Sequence, residues 1–152
     1  MNGVPKLRAG DASAALLVLE DGRYVLQLRD DKPEIWYPAH WGCFGGAAEP
    51  GEEPADTLRR EIREELALEI GTPRWFTRFV FDLRAIGSIQ CNRDYFVVEA
   101  TQGTFATCRL GEGAALQAFS AEVALHDLRL VPYDSFAIFL HSERGRFAAE
   151  SP

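Results

Sequence analysis

The order of predicted elements in this 152-residue chain is typical of an α/β (α+β) fold, in which a mixed β-sheet packs against helices. Three observations predict this fold: a β-hairpin near the N-terminus, an amphipathic helix in the middle, and two long aromatic-rich strands after that helix. With 47% hydrophobic residues, the chain can bury one sizeable core but is too short for two ordinary domains. We therefore predict a single domain over residues 1–152, with a tail that frays after about residue 147.

The first two strands are predicted on either side of a tight turn. Residues 14–19 form a continuous apolar run, Asp21-Gly22 is a typical hairpin turn, and residues 24–29 alternate as a returning strand that ends at Arg29. Residues 30–40 contain two prolines and mixed charges, which indicates a loop. A short strand over residues 41–44 then leads into a pair of glycines.

The central helix is predicted to begin at Pro54, because proline suits a first turn where its missing N–H has no helical partner anyway. Aliphatic residues recur there at three- and four-residue steps and form one apolar stripe: Ala55, Leu58, Ile62 and Leu66. At about 100° per residue, the carboxylates of Glu61, Glu64 and Glu65 project within one turn of each other, beside this stripe.

Three carboxylates at the edge of a buried surface repel one another, and partial burial raises that cost. A hard divalent cation with oxygen ligands removes the conflict, and Mg²⁺ (or Mn²⁺) suits a cluster that supplies a few carboxylates. For a single Glu-Glu pair, a solvated helix face would be the better interpretation. The acids here belong to a longer pattern of residues at fixed spacing, which favours a metal site over a solvated helix face.

The stretch over residues 46–68 resembles the Nudix box of the Nudix hydrolase family, Gly-x5-Glu-x7-Arg-Glu-U-x-Glu-Glu-x-Gly-U, where U is aliphatic. Ala67 departs from the pattern, because the family has its last glycine there. A non-glycine residue with positive φ costs roughly 1 kcal/mol, so we expect an altered helix exit or a longer helix. Phe44 is a second departure, since proline commonly precedes the glycine pair.

The resemblance implies a Nudix-like α/β/α sandwich and a set of site residues. The implied metal ligands are Gly46, Glu61, Glu64, Glu65 and Glu112, and the four glutamates are also the implied catalytic residues. Glu112 is included because it precedes Gly113 in a loop before a predicted strand. Glu52 and Arg60 are expected to support the site, and either Glu61 or Glu112 to accept the proton of the attacking water. Arg29, Trp41 and Phe44 are the candidate substrate-binding residues.

The second half of the chain is rich in strand signals. Residues 74–83 and 88–101 are predicted as two long paired strands, and residues 116–119 as a further strand. Residues 120–125 indicate a short helical turn.

A C-terminal helix is predicted to begin with Asp134 as its cap and to stop at Gly145. Its apolar face would consist of Phe136, Phe139 and Leu140. We expect this helix to pack on the sheet face opposite the central helix.

Composition excludes several classes of function. The formal charge of −7 argues against binding a nucleic acid polymer, which requires clustered Lys and Arg. The three cysteines, Cys43, Cys91 and Cys108, are widely spaced and fit free thiols in a cytoplasmic protein. The N-terminus lacks the apolar region of a signal peptide, and no run is long enough to span a membrane.

By resemblance, the reaction is hydrolysis of a diphosphate bond in a nucleoside diphosphate linked to another moiety. Nucleoside triphosphates and nucleotide sugars both remain open as the small-molecule substrate. The alternative is a non-catalytic nucleotide or nucleotide-sugar sensing domain on the same scaffold. Homodimers are common in the family, and the residues leave the oligomeric state open.

Overall fold

A computed structural model describes residues 6–149, in which seven strands form one mixed sheet. The elements in chain order are β1 (Ala12–Leu19), β2 (Tyr24–Leu28), β3 (Trp41–Gly42), β4 (Phe44–Ala47), α1 (Pro54–Leu66), β5 (Arg74–Asp82), a 3₁₀ turn (Arg84–Ile86), β6 (Gln90–Ala100), α2 (Gln102–Thr107), β7 (Ala115–Phe119), α3 (Ala121–His126), α4 (Pro132–Ser142) and α5 (Arg144–Phe147).

The central strand of the sheet is β1. The sheet order is β3-β2-β1-β6-β5, with β4 also paired to β1 and β7 also paired to β2. The β1–β6 pair is parallel and the other strand pairs are antiparallel. Strand β1 is buried on both faces, because Ala14 and Leu16 enter one core while Ala15 and Leu17 enter the other. This double burial explains the continuous apolar run in the sequence.

Helices cover the two faces of the sheet, as the sequence predicts. On one face, α1 buries Leu58, Ile62 and Leu66 against the sheet. On the other face, α4 buries Ala137 and Ile138 in the second core. The α/β/α sandwich, with the C-terminal helix opposite the central helix, is therefore confirmed.

Helix α1 ends at Leu66, so the expected longer or altered exit is wrong. Ala67 adopts the left-handed conformation with φ 52° and ψ 35°, and its N–H donates to the carbonyl of Arg63 at 3.0 Å. The alanine thus takes the backbone conformation that favours glycine, and the helix stops where a glycine would stop it.

The expected start and stop of the C-terminal helix are also wrong. Helix α4 has Val131 as its N-cap, without a side-chain cap, and Pro132 as its first residue. Asp134 lies inside the helix with its carboxylate buried. The helix ends at Ser142, and Gly145 lies within α5.

The buried face of α4 differs from the predicted one as well. Phe136 and Phe139 are largely exposed, whereas Ala137, Ile138 and His141 are buried. The Nδ1 of His141 is hydrogen bonded to the hydroxyl of Tyr24 at 2.7 Å. Small and polar side chains therefore form this interface, which apolar periodicity alone does not reveal.

Other differences are local. Residues 41–44, predicted as one strand, are divided between β3 and β4, and α2 was not predicted. The side chain of Thr101 caps α2 by accepting the N–H of Thr104 at 3.0 Å. Cys43, Cys91 and Cys108 are free thiols, as expected.

Within residues 6–149, no helix is both long and apolar enough to cross a membrane. The end of the predicted fraying tail, residues 150–152, lies outside the described residues.

Candidate active site

Two glycines allow the strand end to lie directly against α1. A Cβ on Gly45, which has φ +143°, would lie 2.1 Å from the carbonyl oxygen of Ser13. A Cβ on Gly46 would lie 2.5 to 2.6 Å from the carboxylate atoms of Glu61. The N–H of Gly45 donates to the carboxylate of Glu65 at 3.1 Å. The glycine pair therefore gives the acidic side chains close access to the main chain.

Arg60 organises the acidic side chains of α1. Its guanidinium donates two bonds of 2.9 Å to Glu52, one of 2.9 Å to Glu61 and one of 3.4 Å to Glu64. It also donates to the carbonyl of Ala47 at 2.9 Å, which ties the loop to the helix. The hydrogen bonds from Arg60 lower the pKa of Glu52 to about 2. A planar guanidinium can orient several carboxylates at once in this way.

Glu61 and Glu65, the two acids of α1 closest to the sheet, have raised pKa values. Burial, together with the neighbouring charges of Glu61 and Glu112, raises the pKa of Glu65 to about 8. The N–H of Gly45 and the charge of Arg29 act in the opposite direction. Burial likewise raises the pKa of Glu61, against the effect of its hydrogen bond from Arg60. Ionised carboxylates at this site therefore require a nearby cation.

A loop before β7 brings Glu112 to the end of α1. The N–H of Gly111 donates to the carbonyl of Glu65 at 2.7 Å, and a Cβ on Gly111 would lie 2.4 Å from the carbonyl oxygen of Glu64. A residue with a side chain at position 111 would force this loop away from the helix. The close approach therefore fixes where Glu112 lies.

A cleft of about 410 Å³ opens beside these acids. It is lined by Gln27, Arg29, Asp30, Lys32, Ile35, Glu65, Gly111, Glu112 and Gly113. The cleft thus places two cationic side chains, Arg29 and Lys32, in the same lining as three carboxylates, one of which, Asp30, contacts Lys32 at 3.3 Å. Such a mixture of charges suits a ligand that is anionic at one end and is held partly through a cation.

Comparisons with known proteins agree with this geometry. The NUDIX domain family model matches residues 9–142. The chain belongs to the Nudix family. The resemblance seen in the box sequence is therefore confirmed.

Curated Nudix relatives match part of the chain. The nucleoside triphosphatase NudI of Escherichia fergusonii is 49% identical over 51 residues, which are 33% of this chain and 35% of that protein. NudI of Escherichia coli O1:K1 / APEC is 44% identical over 55 residues, which are 36% and 38% of the two chains. The matched stretch spans just over a third of the length of these relatives.

Solved Nudix structures match over nearly the whole fold. The MutT protein from Methanosarcina mazei Go1 has a TM-score of 0.72 and 20% identity, covering 94% of this chain and 100% of that one. The MutT NUDIX hydrolase from Burkholderia pseudomallei has a TM-score of 0.68 and 23% identity, covering 87% and 97%. At these identities, the likeness is one of fold.

The structure brings together most of the site residues that the sequence suggested. The box residues Gly46, Glu52, Arg60, Glu61, Glu64 and Glu65 lie around one guanidinium and one loop, with Glu112 close to Glu61 and Glu65. Arg29 lines the cleft, where its Nε donates to the carbonyl of Trp36 at 2.8 Å.

The two aromatic candidates are placed differently. Phe44 is fully buried beneath α1, so its ring does not reach the cleft, and the expected substrate contact is wrong for this residue. Trp41 is partly exposed, and its ring packs edge-on against Phe119 with centroids 4.8 Å apart. Cys43 points into the core on the α4 face, and the next residue, Phe44, points into the opposite core beneath α1.

Sequence reasoning missed several residues that line the cleft. Gln27 is a buried polar residue on β2, and Lys32 lies in the following loop. The only sequence signal for Gln27 is a polar side chain within an otherwise apolar strand. Lys32 gives no signal, because its position depends on how the loop folds back.

The donor chemistry of the Nudix site fits a divalent metal ion, although its ligands are not converged in this conformation. Within residues 6–149, no three acidic, histidine or cysteine side chains lie at metal-binding geometry. Glu61 and Glu64 are instead directed to Arg60. Carboxylate and main-chain oxygens are the ligands that Mg²⁺ and Mn²⁺ prefer. The carboxylates of Glu61, Glu64, Glu65 and Glu112 and the main chain of Gly46 would hold such an ion.

Proposed function

We propose that this chain is a metal-dependent pyrophosphohydrolase that cleaves a diphosphate bond in nucleoside triphosphates. The observation that carries this proposal is the cleft in which Arg29 and Lys32 share one lining with Glu65 and Glu112. Binding of a polyphosphate uses both the cationic side chains and the carboxylates. Its oxygens bind cationic side chains directly and bind carboxylates only through a metal ion. The name of the NudI relatives, nucleoside triphosphatase, favours triphosphates over nucleotide sugars.

In this proposal the cationic side chains and the carboxylates of the cleft have different roles. Arg29 and Lys32 bind phosphate oxygens and orient the chain of phosphates along the cleft. The carboxylates of Glu61, Glu64, Glu65 and Glu112 would hold Mg²⁺ or Mn²⁺. Such an ion would lower the pKa of the attacking water and neutralise charge on the phosphate oxygens.

Arg60 and Glu52 act through the metal ligands. Two hydrogen bonds of 2.9 Å fix Arg60 against Glu52, which leaves the rest of the guanidinium to orient Glu61 and Glu64. Outer partners of this kind hold ligand side chains in the geometry that a metal requires. We therefore assign both residues a positioning role.

Two carboxylates are candidates to accept the proton of the attacking water. Glu61 is largely buried beside Gly46, and Glu112 is an exposed residue that lines the cleft. Loss of the base lowers kcat with little effect on KM, and it removes the acidic limb of the pH–rate profile. Profiles of Glu61→Gln and Glu112→Gln, measured side by side with excess metal, distinguish the two assignments.

The test of the proposed reaction is a hydrolysis assay with Mg²⁺ and with Mn²⁺ on nucleoside triphosphates, nucleotide sugars and dinucleotides. We expect release of phosphate or pyrophosphate from triphosphates, and a loss of about 100-fold or more in kcat for Glu64→Gln. Glu53→Gln is the matched control, because Glu53 is an exposed acid at the start of the same helix whose side chain makes no cap bond. Equal activity of the two variants would contradict the proposal.

The sensing alternative would be favoured if Ala67, at the position of the family's last glycine, disrupted the box. Ala67 keeps the left-handed conformation that ends α1 at Leu66, so the substitution leaves the acids in register. Retention of all four glutamates also favours hydrolysis, since binding alone does not need each of them. Tight nucleotide binding without metal-dependent phosphate release across the same panel would instead identify a sensor.

A further inference from the structure

Gln27 is a buried polar residue that lines the cleft from strand β2. Its side chain is 4% exposed, and the three residues before it in the strand are buried as well. Val25 packs in the core on the α1 side of the sheet. Because side chains alternate along a strand, the side chain of Gln27 lies on the α1 side too, below the acids of the site.

The amide of Gln27 has one weak hydrogen bond and one unused oxygen. Its Nε2 donates to the carbonyl of Cys43 at 3.4 Å, which is longer than usual for such a bond. The nitrogen faces this acceptor, so the oxygen faces the other way. Among residues 6–149, no N–H or O–H donates to the Oε1 of Gln27. Every fully buried side-chain oxygen in that range has a partner, so this Oε1 is open to the cleft.

The loop that carries Glu112 lies against this oxygen. A Cβ on Gly113, which has φ +88°, would lie 3.0 Å from the Oε1 of Gln27 and 2.9 Å from the carbonyl oxygen of Leu28. The N–H of Ala114 donates to the same carbonyl at 2.8 Å. Glycine at position 113 therefore allows the loop to approach Gln27 closely, and Glu112 is the residue next to it.

The fold alone does not explain this glutamine. Its neighbours on the adjacent strands are Gly42 of β3 and Leu116 of β7, and Leu116 packs against the apolar core on the α1 side. A buried amide with one long hydrogen bond is less favourable there than an apolar side chain of similar size. Residues that oppose stability in this way are typical of functional sites.

The chemistry of the amide oxygen limits what it can bind. Gln27 shares the lining of the cleft with the carboxylates of Glu65 and Glu112, so three side chains there offer acceptor oxygens. An amide oxygen does not bind a phosphate oxygen, because both are acceptors. It requires a donor, and the donor that hydrolysis needs beside these acids is the attacking water.

We propose that Gln27 is a further catalytic residue, whose Oε1 accepts a hydrogen bond from the attacking water. This inference rests on the proposed function. One O–H of the water donates to Gln27, and the other proton passes to Glu61 or Glu112. The water oxygen bonds to phosphorus as the bond from phosphorus to the leaving phosphate oxygen breaks. Two acceptors at fixed positions orient the lone pair of the water towards phosphorus.

Gln27→Met tests this role, since methionine has a similar length but no amide. We expect kcat to fall about tenfold, while KM and the Kd for Mn²⁺ stay within about twofold of wild type, because Gln27 contacts the water and not the substrate or the metal. Gln117→Met is the matched control, since Gln117 is an exposed glutamine on the neighbouring strand β7. Wild-type kcat in Gln27→Met, or an equal loss in both variants, overturns the proposal.

Thermal melts of the metal-free protein distinguish this role from a structural one and need no substrate. Gln27→Met removes a buried amide that has only one weak hydrogen bond, so we expect its Tm to rise by about 2 to 4 °C. The variant should thus be more stable and less active than wild type. A residue that only supports the fold would lower Tm and kcat together, and that result overturns the proposal.

A sugar hydroxyl of the substrate is the competing donor for the Oε1, and dideoxynucleoside triphosphates, which lack both ribose hydroxyls, distinguish it from water. We expect Gln27→Met to lower kcat by the same factor on ordinary and dideoxy substrates. An effect that appears in KM and disappears on the dideoxy substrates would assign Gln27 to the sugar and overturn the proposal.

The same assays separate failure of this inference from failure of the proposed function. A wild type that hydrolyses no substrate of the panel contradicts the proposed function, and this inference with it. An active wild type with an equally active Gln27→Met variant overturns the role of Gln27 alone.

Discussion

A single alanine ends the central helix in a conformation that favours glycine. Ala67 has φ 52° and ψ 35°, a region in which a Cβ is strained. We therefore expect Ala67→Gly to stabilise the fold by about 0.5 to 1 kcal/mol, after part of the relieved strain is offset by the greater freedom of glycine in the unfolded chain. Urea denaturation measures the change. Ala106→Gly, at an exposed right-handed position in α2, should destabilise instead.

Glu65 shows how a site residue can oppose stability. Its side chain is buried, and it lies near the charges of Glu61 and Glu112. Glu65→Gln keeps the shape and an acceptor for the N–H of Gly45 while removing the buried charge. We expect this variant to stabilise the metal-free protein by about 1 to 3 kcal/mol and to lose most of the stabilisation that Mn²⁺ gives the wild type. Thermal melts with and without Mn²⁺ would contradict this if both proteins responded equally to the ion.

The sequence was sufficient to predict that the acids of α1 share one face of the helix, but it did not predict which other residues line the cleft. The spacing of Glu61, Glu64 and Glu65 is a local helical property, so the sequence predicts their common face. Lys32 reaches the cleft only through the path of a loop, and Phe44 is buried because its strand crosses beneath α1. Both depend on tertiary contacts that no local pattern records.

At the scale of elements, α4 shows why apolar periodicity failed. Its phenylalanines suggested the core face, but the helix instead packs through Ala137, Ile138 and two polar residues, Asp134 and His141. Each polar residue has a buried partner from the sheet, which satisfies its hydrogen-bonding groups. Polar side chains on a helix are normally interpreted as exposed. The sequence pattern therefore predicted the exposed face of α4 as the buried one. The strands were predicted more closely, since their alternation is set by burial on the sheet itself.

The contact between α4 and the sheet makes stability depend on pH. Burial, together with the charges of Arg144 and Arg74, lowers the pKa of His141 from 6.5 to about 4. Between those values, the unfolded chain binds a proton that the folded chain does not. His141 alone therefore lowers stability as the pH falls from about 6.5 towards 4, by about 2 kcal/mol at about pH 5, whereas Glu65, with its pKa raised to about 8, acts in the opposite direction over this range.

Urea denaturation of the wild type and of His141→Asn at about pH 7 and about pH 5 measures this contribution as the difference between their pH dependences, because asparagine does not titrate in that range. His126→Asn is the control, since His126 is exposed at the end of α3. An unchanged pH dependence in His141→Asn would exclude this histidine as the cause.

At the scale of the whole molecule, the segment from Cys43 to Gly45 is hydrogen bonded to the helices on both faces of the sheet. From the α1 layer, Glu65 accepts the N–H of Gly45. From the α4 layer, the carboxylate of Asp134 accepts the N–H of Cys43 at 2.9 Å, two residues earlier in the chain. The second anchor lies far from the Nudix box in sequence. Through this bond, α4 also helps to fix the strand that carries Gly45 in the candidate site.

Asp134 is also half of a buried ion pair that crosses the core. It accepts the hydroxyl of Tyr95 at 2.6 Å and the guanidinium of Arg93 at 3.3 Å, and Arg93 lies 4.7 Å from the ring centroid of Tyr133. Asp134→Asn leaves a largely buried guanidinium without its counter-charge, so we expect a loss of about 3 kcal/mol in the free energy of unfolding.

The double variant Arg93→Met with Asp134→Asn removes both charges together, and we expect it to be clearly less destabilised than the sum of the two single variants. Urea denaturation of all four proteins gives this coupling directly. Additive losses would show that the two side chains stabilise the layer independently. A large coupling would instead show that the ion pair between Arg93 and Asp134, and not either side chain alone, holds α4 against the sheet.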